Sequence, residues 1–322
     1  MARFRWKFGP GPVIAAAGIA IGAVAALVLA LRMPESPSHT TETRQASRIP
    51  AAVVPLTRPA PRPEAPAQAA PDRPAAAAPA WLAYAVPSAP AHGRPVVAVV
   101  IDDMGLNRAL SRRAVALKGP VTLSYLPYGE ELAAQTEDAR QRGHELLVHV
   151  SMAPEGQGAD PGPNALVPSL APAEIERRLD WALSRFSGYV GINNHEGSRF
   201  TADEPGMTVV LSRLKARGLL FLDSRTTPRT VGPAIARRLG LPFAERNVFL
   251  DNLDSVAAVQ KQLAELETVA RRDGAAIAIG HPREATLAAL GPWLDALEAK
   301  GFVLVPLSAI VRRNVANGYA RG

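Results

Sequence analysis

An uninterrupted run of six apolar residues, 96–101, constrains the fold of this chain more than any other feature of its sequence. A run of this length, preceded by Pro95 and followed by Gly105, predicts a strand that is buried on both faces. Two carboxylates, Asp102 and Asp103, come directly after it. Paired acids at the C-terminal end of a buried parallel strand stand where barrel enzymes carry their catalytic groups. The sequence therefore predicts a functional site at this strand end.

The same alternation of a short apolar run and a helical pattern continues through the rest of the chain. Strands are predicted at 96–101, 121–126, 145–150, 189–193, 219–222, 247–250, 275–279 and 302–305. Helices are predicted between them at 106–117, 130–142, 172–186, 204–217, 231–239, 255–272 and 284–300. Several of these helices are followed by glycine, a common stop signal, at Gly143, Gly218, Gly274 and Gly301. The pattern predicts an α/β fold whose parallel sheet closes into a distorted (β/α)7–8 barrel; an open doubly wound sheet is the alternative.

The N-terminal region predicts a membrane segment. Residues 13–31 are 19 apolar residues without a charge, and three basic residues precede them. At 1.5 Å per residue such a helix spans about 28 Å, close to the thickness of a bilayer core. A cleaved signal peptide is the alternative, but the run is long for one and residues 32–34 make a poor cleavage site. We therefore expect a single-pass inner-membrane protein, with residues 1–12 in the cytoplasm, residues 13–31 in the membrane and the remainder in the periplasm.

Residues 32–95 have the composition of a disordered linker. Fourteen of the 30 prolines lie here, mixed with alanine, serine and threonine, so the segment lacks the apolar residues of a packed core. Its one aromatic cluster, residues 81–84, is expected to pack on the edge of the following domain. The domain itself is predicted to span residues 96–314, followed by a short tail at 315–322.

Charge and cysteine content exclude several classes of protein. The formal net charge is +7, but from Val96 onward 26 basic residues are balanced by 25 acidic ones. The basic excess therefore belongs to the N-terminal third, and we expect no nucleic-acid partner. The chain has no cysteine, which excludes disulfides, zinc thiolates and thiol nucleophiles.

Polar side chains collect at the ends of the predicted strands. They are Asp102, Asp103, His149, Asn193, Asn194, His195, Asp223 and His281. Because the C-terminal ends of parallel strands meet at one rim of a barrel, these side chains are expected to lie together. Carboxylates and histidines in such a group suit a divalent metal, with zinc as the usual hydrolytic choice.

Each of these residues also has a purely structural interpretation. A single histidine at a strand end is commonly a hydrogen-bonded core residue. Asp102 or Asp103 could cap the next helix, and Asp223 could form an Asx-turn or pair with Arg225. His144 opens a predicted strand and is expected at the opposite rim.

Five motifs give the chain a resemblance to a known family. They occupy residues 101–105, 149–154, 191–201, 221–224 and 279–286. Together they resemble the divergent polysaccharide deacetylase family over about residues 96–311. The resemblance implies a distorted barrel of the glycoside hydrolase/deacetylase type, related to carbohydrate esterases of the NodB type. In those enzymes a divalent metal activates a water that attacks the N-acetyl carbonyl of an amino sugar.

The resemblance also implies a role for each strand-end residue. Asp102 corresponds to the catalytic base, His281 to the acid that protonates the leaving amine, and Asp223 to an orienting carboxylate. Asp103 and His149 correspond to metal ligands. The family's second metal histidine normally lies four residues after the first, where this chain has Ala153. His195 is expected to replace it. Asn194 is expected to bind substrate, and Arg199 to bind substrate or to hold Asp102.

These observations predict a membrane-anchored, extracytoplasmic, metal-dependent deacetylase. The expected cofactor is Zn²⁺, and the expected partners are an N-acetylated polysaccharide and, through the N-terminal helix, the inner membrane. The alternative is a noncatalytic envelope protein that binds glycan or a protein partner in the same cleft. The altered histidine spacing favours this alternative, whereas the presence of Asp102 and His281 favours the enzyme.

Overall fold

The computed structural model describes residues 78–156 and 158–318, which form one curled sheet of nine parallel strands with helices packed against it. The strands are β1 (Val96–Met104), β2 (Thr122–Tyr125), β3 (Glu145–Met152), β4 (Gly191–Glu196), β5 (Leu220–Asp223), β6 (Phe243–Glu245), β7 (Val248–Phe249), β8 (Ala275–Gly280) and β9 (Val303–Leu304). The helices are α1 (Ala80–Ala83), α2 (Arg108–Val115), α3 (Leu132–Gln141), α4 (Pro172–Leu183), α5 (Glu204–Ala216), α6 (Gly232–Leu239), α7 (Val256–Asp273), α8 (Glu284–Ala296) and α9 (Leu307–Ala316). The predicted alternation is confirmed, and α1, β6 and α9 are additional elements.

The order of the strands is that of a barrel. It runs β6-β5-β4-β3-β2-β1-β8-β7, with β9 also beside β1. Consecutive strands therefore follow one another around the sheet, and β1 lies between β2 and β8. A doubly wound sheet reverses its strand order partway, so that alternative does not describe this fold.

The predicted closure of the barrel is wrong. Within the described residues, β6 and β7 form the two ends of the sheet. Only Arg246 and Asn247 connect these strands, whereas adjacent parallel strands need a crossover of about a dozen residues. The Arg246 N–H donates to Asp223 O on β5, and the Asn247 N–H donates to Ile277 O on β8. The chain therefore crosses the gap between the two ends, and the sheet is a curled, open barrel.

The apolar run that begins at Val96 is buried on both faces of the sheet, as its composition predicts. Val97, Val99 and Ile101 belong to the core between sheet and helices. Val96 and Val100 face the interior of the curl, in a second core that includes residues of α9. Burying each such side chain stabilises the fold by about 1.5–3 kcal/mol, which explains why the run has no polar position.

The residues on the inner face of β3 change along the strand, from side chains that hold the core together to polar side chains at the C-terminal end. Glu145, Leu147, His149 and Ser151 share this face because strand side chains alternate. At the N-terminal end of β3, the buried Glu145 carboxylate accepts hydrogen bonds from the backbone N–H and the hydroxyl of Ser308, at the start of α9. Leu147 belongs to the inner apolar core. The polar positions beyond it therefore stand at the C-terminal mouth of the sheet.

The segment before β1 is partly folded. Trp81, on α1, has its side chain buried in the inner core, and its backbone N–H donates to Gly218 O at 2.9 Å. The expectation that this aromatic cluster packs on the domain is met at Trp81, while Tyr84 is exposed. The remainder of the predicted linker up to residue 77 lies outside the described residues.

The predicted localisation as a single-pass inner-membrane protein is corrected. Across residues 78–156 and 158–318, no helix has the length and apolar character needed to cross a membrane. The predicted anchor at 13–31 lies outside the described residues. The structure therefore provides no membrane span to support the anchor.

Candidate metal centre and active site

A bulge at the end of β1 brings two consecutive carboxylates to the same site. From Ile101 to Met104, three steps along β1 run opposite two steps along β2, so β1 holds one extra residue. Asp103 occupies the bulge with φ +54°, a left-handed conformation that costs a non-glycine residue about 1–2 kcal/mol. In a regular strand Asp102 and Asp103 would point to opposite faces. Here both carboxylates approach His149 Nε2, at 3.6 and 3.3 Å respectively.

Asp103, His149 and His195 form a three-residue cluster suited to a metal ion. Asp103 Oδ1 lies 3.3 Å from His149 Nε2 and 2.9 Å from His195 Nδ1, and the two nitrogens are 3.3 Å apart. Tetrahedral coordination with bonds of about 2.0–2.1 Å separates ligand atoms by about 3.3 Å. The three atoms therefore have the spacing expected of ligands to one ion, and His195 stands in the place that Ala153 cannot fill.

The polar atoms of this cluster are consistent with a bound cation. Asp103 Oδ1 is buried and, among the described residues, accepts no hydrogen bond of good geometry. Burial opposes ionisation of Asp103, but the adjacent imidazoles of His149 and His195 outweigh it and hold the pKa of Asp103 well below its ordinary value. A buried, ionised oxygen without a donor is the acceptor that a divalent cation satisfies.

Asn193 fixes the orientation of both His149 and Asp102. Its Nδ2 donates to the two oxygens of Asp102 at 2.9 and 3.0 Å, which leaves its Oδ1 facing His149 Nδ1 at 2.9 Å. His149 Nδ1 therefore carries the hydrogen, and the lone pair of Nε2 points to Asp103. Burial lowers the pKa of His149, but Asp102 and Asp103 reverse that effect and raise it. A proton and a cation consequently compete for Nε2.

Asp102 is placed to accept a proton. The side chain is buried, and burial raises the pKa of Asp102 even though His149 and His281 oppose the rise. Its position beside the candidate metal centre, 3.6 Å from His149 Nε2, suits a general base. This is the role that the family resemblance implies for it.

His281 is held by a carboxylate that the sequence analysis did not select. Asp251 Oδ1 lies 2.9 Å from His281 Nδ1, and Asp251 Oδ2 accepts the His281 backbone N–H at 2.6 Å and the Thr286 hydroxyl at 2.8 Å. The opposite nitrogen, Nε2, lies 3.7 Å from Asp103 Oδ2. Burial lowers the pKa of His281, but the hydrogen bond and charge of Asp251 prevail and raise it. The imidazole is thus favoured in its protonated, proton-donating form.

Asp251 could have been found by the signal already used for the other residues. It directly follows the predicted strand 247–250, so it is a carboxylate at a strand end. Burial opposes the charge on Asp251, but the hydrogen bond from His281 outweighs it and lowers the pKa of Asp251. Asp251, rather than the predicted Asp223, is therefore the carboxylate that orients His281.

The predicted orienting role of Asp223 is corrected. Its Oδ1 accepts the Arg225 N–H at 2.8 Å and its Oδ2 accepts the Thr230 hydroxyl at 2.7 Å. The first contact is the Asx-turn that its sequence context allowed. Asp223 is fully buried, and burial raises its pKa. It stabilises the loop between β5 and α6 and does not contact His281.

The two predicted substrate-binding residues have different surroundings. Asn194 lies on the opposite face of β4 from His195, where its Nδ2 donates to Glu196 O at 2.7 Å and its Oδ1 accepts the Ser224 N–H at 2.9 Å. It is buried, so its position supports a structural role and not contact with a substrate. Arg199 is exposed, and its backbone N–H donates to Ala153 O at 3.0 Å. The hydrogen bonds that hold the Asp102 carboxylate come from Asn193.

The curled parallel sheet, with paired aspartates and histidines at its C-terminal rim, defines a domain of the polysaccharide deacetylase class. The chain belongs to the divergent polysaccharide deacetylase family, whose sequence profile matches residues 99–311. The resemblance found in the sequence motifs is thereby confirmed.

The chain is also similar in sequence or structure to proteins from other bacteria. An uncharacterized protein of Haemophilus influenzae is 34% identical over 200 residues, which cover 60% of this chain and 69% of that protein. Uncharacterized protein YibQ of Escherichia coli is 35% identical over 194 residues, or 60% of each chain. The crystal structure of uncharacterized protein ATU2773 from Agrobacterium tumefaciens has a TM-score of 0.70 and 30% identity, covering 72% of this chain and 94% of that one.

Proposed function

We propose that this protein is a metal-dependent hydrolase that removes the acetyl group from an N-acetylated polysaccharide. The observation that carries the proposal is the convergence of Asp103, His149 and His195, with Asp102 and His281 beside them. Membership of a deacetylase family supports the reaction class. Three nitrogen and oxygen ligands favour zinc, which commonly uses three protein ligands and keeps one position open in hydrolytic sites.

The metal would be held by Asp103, His149 and His195, and when bound it supplies Lewis acidity toward the acetamido carbonyl. Side chains of the protein would accept and donate the protons. Asp102 accepts a proton from the attacking water, whose oxygen forms a bond to the carbonyl carbon. Asn193 keeps the Asp102 oxygens in place through its amide hydrogens.

His281 would protonate the leaving group. An amide nitrogen leaves poorly unless it gains a proton as the C–N bond breaks, so the reaction needs an acid. His281 Nδ1 faces Asp251, which leaves the Nε2–H available to the substrate nitrogen. The products are a free amine on the sugar and acetic acid, which ionises to acetate. His281 is then neutral and Asp102 holds the proton taken from water, so return of that proton to His281 restores the starting state.

Acetate release from N-acetylglucosamine tetramer tests this proposal. The protein loaded with Zn²⁺, the same protein stripped by chelator, and Asp102→Asn are incubated with the tetramer, and free acetate and sugar amine are measured. We expect release only from the zinc-loaded parent protein. Tetramer binding without acetate release would instead favour a noncatalytic glycan-binding protein, the alternative suggested by Ala153 at the usual position of the second histidine.

A further inference from the structure

Ser151 carries a buried hydroxyl group for which the folded chain provides no partner. In the part of the chain that the structure describes, two buried side-chain polar atoms lack a hydrogen bond, Asp103 Oδ1 and Ser151 Oγ. The first belongs to the candidate metal centre. Ser151 is only 2% exposed, so solvent at the surface does not satisfy its hydroxyl. A buried polar group without a partner destabilises the fold, so its presence requires an explanation, and contact with a ligand is one.

The position of Ser151 relates this hydroxyl to the same site. Ser151 lies two residues beyond His149 on β3, so both side chains share the inner face of the sheet. Its neighbours in sequence, Val150 and Met152, belong to the core on the outer face. Ser151 is in register with His195 on the adjacent strand, and His195 is another residue of the candidate metal centre. The hydroxyl therefore lies beside the cluster, toward the mouth of the sheet.

The backbone of Ser151 is held in place independently of its side chain. Ser151 O accepts the Leu166 N–H at 2.9 Å, and the next residue, Met152, forms a bridge with Leu166. The side chain consequently projects from a fixed strand, on the face of the sheet that carries His149. A donor whose position is set before binding costs little reorganisation when the ligand arrives.

We propose that Ser151 is a substrate-contacting residue whose hydroxyl donates a hydrogen bond to the carbonyl oxygen of the acetamido group. This inference rests on the proposed deacetylase function. The carbonyl oxygen gains negative charge as water adds to the carbon, so a donor at this point stabilises the transition state more than the ground state. The contact also distinguishes an acetylated sugar from its free amine, because only the former presents this oxygen.

Ser151→Ala tests the contact, with Ser308→Ala as a matched control. Both serines are 2% exposed, but Ser308 is hydrogen-bonded to Glu145 at the other end of the sheet. For each variant we would measure bound zinc, melting temperature, kcat/KM for acetate release, and calorimetric affinity for acetylated and fully deacetylated glucosamine tetramers. Ser151→Thr, which keeps the hydroxyl, serves as the conservative variant.

We expect Ser151→Ala to retain zinc and an unchanged or higher melting temperature, while kcat/KM falls about tenfold and the preference for the acetylated tetramer weakens. Ser151→Thr should recover most of both properties. Ser308→Ala should lower the melting temperature and leave kcat/KM and the preference unchanged. An unaltered preference and kcat/KM in Ser151→Ala, or loss of its zinc, would overturn the inference.

The same measurements separate this inference from the proposed function. If the zinc-loaded parent protein releases no acetate, the deacetylase proposal fails. A preference of that inactive protein for the acetylated tetramer, lost in Ser151→Ala and kept in Ser151→Thr, would still support the contact with the acetamido oxygen. The opposite result is acetate release by the parent protein together with an unchanged kcat/KM and preference in Ser151→Ala. It would support the deacetylase function and contradict the contact.

Discussion

Asp103 Oδ1 lies 2.9 Å from His195 Nδ1, although β1 and β4 are separated in the sheet by β2 and β3. Neighbouring strands are about 4.8 Å apart, so three steps across a flat sheet would separate the two strands by about 14 Å. The curl of the sheet removes most of that distance, and the bulge at Asp103 turns its carboxylate inward. The candidate metal centre is thus a product of sheet curvature together with one extra residue in β1.

This geometry predicts which histidines hold the metal. His149→Ala or His195→Ala should weaken zinc binding by about a hundredfold or more, because three protein ligands leave none to spare. His281→Ala should keep the zinc and lose acetate release. His92→Ala, at an exposed position, is the control and should change neither. Zinc content after dialysis, measured by elemental analysis, and competition with a chelator report the affinities. Full zinc retention by His195→Ala would contradict the three-ligand arrangement.

Asn193 and Asn194 form a matched pair of buried amides on opposite faces of β4. Asn193→Ala should lower zinc affinity and kcat/KM by about 10–100-fold each, because His149 and Asp102 lose the group that orients them. Asn194→Ala should reduce the free energy of unfolding by about 1–3 kcal/mol, because it leaves the Ser224 N–H unpaired, while zinc affinity stays unchanged. Urea unfolding and chelator competition distinguish the two. Equal effects on zinc would show that the face of the strand does not matter.

The pH dependence of catalysis should report the contact between Asp251 and His281. Asp251 raises the pKa of His281, and the acid is active while His281 is protonated, so activity should fall as pH rises through that pKa. Asp251→Asn removes the negative charge and should move the alkaline limb of the kcat profile to lower pH. Asp223→Asn, which affects a loop carboxylate, should leave the limb where it is. The reverse pattern would restore the orienting role to Asp223.

The same contact predicts a pH-dependent stability. Because the folded-state pKa of His281 is raised, its contribution to stability is fully present below the ordinary histidine value of about 6.5 and is lost as pH rises through the folded-state pKa. In Asp251→Asn this loss should be smaller. Urea unfolding of the metal-free parent protein and of metal-free Asp251→Asn, over a pH series that begins below about 6.5, measures this loss. The same change in the free energy of unfolding with pH in both proteins would contradict the contact between Asp251 and His281.

Trp81 should contribute to stability although it precedes β1. Trp81→Ala removes a buried indole from the inner core and should lower the free energy of unfolding by about 3–5 kcal/mol. Tyr84→Ala, at the 41% exposed end of the same segment, should change it by less than about 1 kcal/mol. Denaturant unfolding of both variants provides the comparison. Similar small effects would mean that α1 is not part of the cooperative unit.

Much of the site could be predicted from local chemistry. The apolar run before Asp102 predicts a buried strand, and the repeated placement of acids and histidines after such runs predicts a common rim. These inferences succeed because burial on both faces of a parallel sheet leaves a continuous apolar signal, and because parallel strands all end at the same edge. Asp103, His149 and His195 are among the residues that this pattern groups, the family resemblance gives them the role of ligands, and the structure brings them together.

What the sequence by itself determined is therefore eight of the nine described strands and the rim at which the reactive side chains meet. Only the tertiary structure decided which of two adjacent residues turns inward, as with Asn193 and Asn194, and that Asp251 rather than Asp223 meets His281. It also decided that the barrel stays open between β6 and β7. The physical reason is that side-chain direction reverses with every residue along a strand and is reset by a single bulge, while partnerships such as that of Asp251 with His281 depend on distances across strands that no local pattern encodes.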